Sequence, residues 1–156
     1  PARFIAAQIV SYVALGLFVS GLVLAIGTLM GAGIVIGPNL LWLIPLQAVG
    51  VLTALSLAFG IAGLTPSPAT ANIVGGAVML PLFVLSGAML PVAAMPAPLP
   101  DIVPYAVPYA SLIEAVRGIA LTGSSITAYG TQVGVSIAWL VAMFAIAARA
   151  YRFTED

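Results

Sequence analysis

Few side chains in this chain can do chemistry. Eight carry charge: Arg3, Asp101, Glu114, Arg117, Arg149, Arg152, Glu155 and Asp156. Glu114 and Arg117 stand three apart, the spacing at which an acid and a base share one helical face and can pair. Pairing would lower the cost of holding both near lipid; its plainer reading is a surface ion pair of small energetic weight. Neither reading makes them catalytic. The chain has no His and no Cys, which removes thiolate chemistry, disulfides and the commonest metal ligands. Ser11, Ser20, Ser56, Ser86 and Ser136 have no base to activate them, so an intramembrane protease is not supported. They read as helix-packing residues whose hydroxyls bond their own helix carbonyls. There is no G-x-x-x-x-G-K-[ST] loop to cradle a nucleotide phosphate, so ATP is not bound in the usual way.

The elements that hold these residues are built for lipid. Of the 156 residues, 63% are hydrophobic and 5% charged, whereas soluble domains carry about one quarter charged residues. No Asp, Glu, Lys or Arg occurs from Phe4 to Pro100, and none from Gly118 to Ala148. A zero net charge with no basic run leaves no electrostatic footprint for nucleic acid. No signal-peptide cleavage pattern is visible. A start at Pro-Ala-Arg without Met suggests a processed chain or an excised piece of a longer protein.

A helix that crosses a bilayer needs about 20 mostly apolar residues. Four stretches qualify, at about 4–30, 40–64, 73–90 and 131–148. Glycines 31, 33 and 37 with Pro38-Asn39 separate the first two, and Trp42 stands at the depth of an aromatic belt. The polar run "TPSPATAN", 65–72, reads as the loop before the third span. Pro81 predicts a kink or break within that span. Gly27/Gly31, Gly33/Gly37, Gly60/Gly63 and Gly75/Gly76 are small-residue patches that suit packing between helices of this chain or contact with a second copy. No internal repeat is evident, and no span carries an ionisable group in its interior. An inverted-repeat or ion-coupled exporter is therefore disfavoured.

Residues 91–129 hold six of the twelve prolines and three of the eight charges. The segment is too apolar for a free loop and too proline-rich to span. After Pro108 the apolar residues return at helical spacing, with Ser111 set to cap and Glu114 as its capping-box partner. Gly118 weakens this helix and "TGSS" ends it. Irregular backbone at membrane depth must be covered by protein or wetted. A hairpin of short helices, re-entering against the outer ends of the spans, satisfies that rule. The reading is an all-α membrane protein of four transmembrane helices and one re-entrant outer hairpin. Arg3, Arg149 and Arg152 all favour cytoplasmic termini, with the 31–39 turn and 91–129 facing outward.

Two motifs in this order, "LPLFVLSGAMLPVAAMPAPL" and "VPYASLIEAVRG", resemble the C-terminal half of the ABC-2 type transporter permeases. The first matches at Pro81, Leu85, Ser86, Gly87, Pro91 and Pro96. The second matches at Pro108, Glu114, Ala115, Arg117 and Gly118. The strong resemblance covers about 80–123; elsewhere only the hydrophobic layout agrees. It implies spans three to six of a six-span permease in a bacterial inner membrane, working as a dimer of permease copies. It also implies an ABC ATPase partner on the cytoplasmic side that carries ATP and Mg, with no cofactor on this chain. The segment after the fifth span would then be two short outer helices at an outer gate, where Pro81, Ser86, Gly87, Pro91, Pro96, Pro108, Glu114, Arg117 and Gly118 would act. The family's first two spans and coupling helix are missing here, which suggests truncation. The expected function is export of an apolar or amphiphilic cargo such as a drug, lipid or lipid-linked glycan. The alternative is a non-transporting membrane assembly or anchor subunit.

Overall fold

The structure is a computed structural model that describes residues 2–150, with side chains described from residue 7 onward. It is all-helical, with no strand among the described residues. Four helices are long and apolar enough to cross a membrane: α1 (Ala2–Leu29), α2 (Leu43–Leu64), α3 (Pro68–Leu85) and α6 (Gly130–Ala150). Between α3 and α6 lie two shorter helices, α4 (Leu99–Ala106) and α5 (Ala110–Thr122). Single 3₁₀ turns at Pro38–Trp42, Val92–Ala94 and Ile126–Tyr129 lead into α2, the α4 region and α6.

Helix α2 is the hub, with α1 and α6 packed along it, α3 touching it more sparsely and α5 over its first turns. Glycines allow the close approaches. Gly16 of α1 faces Val51 and Gln47; Gly60 and Gly63 of α2 face Ile146, Ala147 and Ala150 of α6. The pairing of 60 with 147 and 63 with 150 makes α2 and α6 parallel neighbours. Such small-residue contacts let helices meet by dispersion where lipid supplies no hydrophobic drive. Gly60 and Gly63 are thus packing residues within the chain. Gly75 and Gly76 face nothing of this chain within 4 Å, and Gly31 and Gly33 sit at positive φ in the turn after α1.

The tightest burial lies outside most of the span length. One cluster joins Leu43 and Leu46 of α2 to Leu112, Ala115, Ile119 and Ala120 of α5. A second joins Met95 to Val103, Val107 and Ala110, against Leu82 and Leu85 of α3. No residue of α3 is buried, and Ile73, Leu80 and Phe83 are exposed. A span can leave its apolar face to lipid, whereas a hairpin broken by prolines must be covered by protein. Both clusters surround the α4–α5 hairpin at the end of the bundle away from where α1 starts and α6 finishes, called the distal end below.

Three local expectations are corrected. Residues 65–72 are not all loop: α3 begins at Pro68, because Ser67 accepts from Thr70 N at 3.2 Å as N-cap and Pro68 fills the first turn, where no N–H is needed. The third span is therefore displaced towards the N-terminus, to Pro68–Leu85. Of the kink or break expected at Pro81, the break is absent, since the helix runs through. Arg149 ends α6 at the same end of the bundle at which α1 starts. Arg152 and the side chain of Arg3 lie outside the described residues.

Candidate functional site at the distal end

Helix α3 ends at Leu85, and the chain turns on Ser86 and Gly87. The Ser86 hydroxyl donates to Phe83 O at 2.8 Å, and Gly87 takes φ +83, a conformation only glycine adopts without strain. A Cβ there would also stand 3.0 Å from Val92 Cγ2. The turn is held from across the hairpin by Arg117 of α5, whose Nη2 donates to Gly87 O at 2.9 Å. A cation at the end of α3 also meets the negative end of that helix dipole.

The hairpin closes by a similar logic of unpaired carbonyls. In α4, Pro104 O would accept from residue 108, but Pro108 has no N–H. The fully buried Ser111 hydroxyl donates to it instead. Tyr105 O, also at the end of α4, accepts from Trp139 Nε1 of α6 at 2.9 Å. At the end of α5, Ala120 O accepts from Val35 N at 2.9 Å and Gly123 O from Asn39 Nδ2 at 2.8 Å. Terminal helix carbonyls left over by the backbone ladder are thus met by neighbouring elements.

Two sequence expectations fail here. Ser111 is not an N-cap: Tyr109 precedes α5, and Ser111 lies inside it, bonded back to α4. The orphaned carbonyl of Pro104 is the stronger claim on that hydroxyl. Glu114 and Arg117 do not pair either, because the Arg117 guanidinium is turned to Gly87 O.

Between the α3 exit and the hairpin lies a cavity of about 290 Å³. Ser86, Gly87 and Pro91 line it from the exit, Pro100 and Pro104 from α4, and Glu114 and Arg117 from α5. Of the nine residues singled out in the sequence, Ser86, Gly87, Pro91, Glu114 and Arg117 meet here. Pro81 lies back within α3, Pro96 is exposed in the loop before α4, and Pro108 is buried at the joint between α4 and α5. Gly118 is one helical step beyond Arg117, with the Tyr129 ring lying where a side chain would go. Neither Pro100 nor Pro104 is among the nine residues singled out in the sequence. Pro100 in a first turn that also carries Asp101 is a helix-start pattern that would have placed α4.

Tyr109 is a further residue of this region that the sequence did not single out. Its Oη is buried with no hydrogen-bond partner, and burial pushes its pKa up to about 12.

Apolar helices that can span, arranged round a hub and closed at one end by a proline-broken helical hairpin, define a multi-pass α-helical membrane protein. Residues 1–121 match the ABC-2 type transporter family, and the chain belongs to it. The match covers α1 to α4 and nearly all of α5, so it includes the α3 exit, Glu114 and Arg117. No curated protein and no solved structure matches the chain. Members of this family are membrane subunits of transporters, which implies association with an ABC ATPase.

Proposed function

We propose that the chain is the membrane-spanning permease part of an ATP-driven exporter for an apolar or amphiphilic cargo: a drug-like molecule, a lipid or a lipid-linked glycan. The family match over residues 1–121 carries the reading. Span interiors free of charge suit such a cargo, since an ionisable group at membrane depth would tie the path to an ion.

Both termini then face the cytoplasm of a bacterial inner membrane, and the distal end faces out. ATP and Mg belong to the partner ATPase, which would meet the termini and the turn at 65–67. A second permease copy completes the assembly; the open face of α3 leaves room for one. Closure of the ATPase rocks the spans, and the α3 exit with the α4–α5 hairpin acts as the outer gate.

The test is transport by the full-length chain reconstituted with its ABC ATPase in proteoliposomes. ATP-dependent movement of cargo and cargo-stimulated hydrolysis are expected, and Gly87→Ala and Glu114→Gln should each reduce them. A chain that shows neither transport nor affinity for any ATPase, and tolerates both substitutions, is a membrane anchor instead.

A further inference from the structure

Two opposite charges on one wall of the distal cavity stay apart. Glu114 and Arg117 both line it, three residues apart on α5, yet Arg117 bonds Gly87 O and Glu114 makes no hydrogen bond or ion pair with a described residue. The remaining guanidinium N–H groups and the whole carboxylate are unclaimed. Among the described residues no other charged side chain lines the cavity. Pro91, Pro100 and Pro104 have no N–H, the Ser86 proton is given to Phe83 O, and Pro104 O is taken by Ser111.

A ligand that satisfies both groups must carry an anion and a cation a few bonds apart. The cation must also donate hydrogen bonds. A quaternary ammonium has no N–H and is held by aromatic faces, and no aromatic side chain lines this cavity. A primary ammonium suits Glu114, while a phosphate suits the planar fork of Arg117. At about 290 Å³ the cavity stands at the small end of ligand pockets, roughly 300–1,000 Å³, which fits a head group better than a whole amphiphile. It lies where α3 finishes, which the proposed membrane placement sets at head-group level, and Glu114 is exposed at it.

We propose that this cavity binds a phosphoethanolamine group, with the phosphate on Arg117 and the ammonium on Glu114. The group can be carried by a membrane lipid or come as a free phosphodiester. The inference rests on the membrane placement in the proposed function, and on nothing about cargo.

The test uses the full chain in nanodiscs of mixed composition, reading retained lipid by native mass spectrometry. Phosphatidylethanolamine should be retained roughly tenfold over phosphatidylcholine and phosphatidylglycerol. Glu114→Gln should erase the preference for ethanolamine over choline. This side chain is exposed and has no hydrogen bond or ion pair among the described residues, so its loss should not endanger the fold. Arg117→Gln should abolish retention of all three, and Arg117→Lys should restore part of it. Displacement by soluble glycerophosphoethanolamine would mean that the head group suffices. Retention of lipid without such displacement would identify the membrane as the source. Equal retention of the three lipids by the unmodified chain, or an unchanged preference in Glu114→Gln, overturns the proposal. No ATPase is present in this assay, so its failure and a failure to transport are separate results.

Discussion

Gly87 combines two demands that other residues cannot meet together. Its φ of +83 disfavours any side chain, and a Cβ would press on Val92 at 3.0 Å. Gly87→Ala should lower stability by about 1–2 kcal/mol, measured by thermal unfolding in detergent, and an unchanged midpoint would show that the turn relaxes freely. Tyr109 is the opposite case, a group whose polar atom gains nothing. Removing an unsatisfied buried hydroxyl recovers its desolvation cost, about 1–3 kcal/mol at most, so Tyr109→Phe should be neutral or stabilising. The same burial gives a pH signature. The folded-state pKa of about 12 exceeds the ordinary tyrosine value of about 10, so the folded chain keeps a proton that the unfolded chain has lost. The contribution is fully present below the ordinary value and is lost as pH rises through the folded one. An ultraviolet titration should show a late ionisation step near pH 12 that belongs to Tyr109. Tyr109→Phe should remove that late step and flatten the alkaline loss of stability.

At the scale of elements, the hairpin depends on carbonyls that proline leaves unpaired. Ser111→Ala removes the donor to Pro104 O in a fully buried site, and a cost of about 1–3 kcal/mol is expected. Equilibrium unfolding of the variant with no loss would mean that another donor takes over. The glycine patches separate by what they face. A Cβ on Gly63 would lie 2.9 Å from Ala150 Cβ and 3.0 Å from its backbone carbon, so Gly63→Ala should part α2 from α6 and lower the melting temperature. Gly76→Ala meets nothing and should leave the melting temperature of the single chain unchanged. Spacing alone could not make this distinction, because both pairs read as small-residue patches. The spans themselves were clear in the sequence, since length and the absence of charge suffice for a helix in lipid. The true start of α3 was written in Ser67-Pro68 but was obscured by the polar residues that follow. The partner of Arg117 was not readable at all. It is a backbone carbonyl thirty positions away, and a carbonyl leaves no trace in side-chain type.

For the whole molecule, the sequence predicts which residues cross together, and the packing adds which end of the bundle each turn occupies. The turn at 65–67 lies at the end where α1 starts, and the 3₁₀ turn Ile126–Tyr129 lies at the distal end. If the spans cross as proposed, a membrane separates them. The chain has no Cys, so single cysteines can report the side without background. Pro66→Cys and Ala128→Cys suit this, because both positions are exposed and neither packs against a helix core. In intact cells a membrane-impermeant maleimide should label Ala128→Cys, and it should label Pro66→Cys only after permeabilisation. Labelling of both from one side would remove the odd number of crossings between them, α3 alone or with a re-entrant hairpin. Labelling of Pro66→Cys alone in intact cells would keep the bundle and invert it. The proposed orientation rests on Arg149, which belongs to the same end as Pro66: cationic residues are held on the cytoplasmic side during insertion. Adding Lys beside Ala128 should therefore weaken the expected orientation, whereas adding it beside Pro66 should reinforce it.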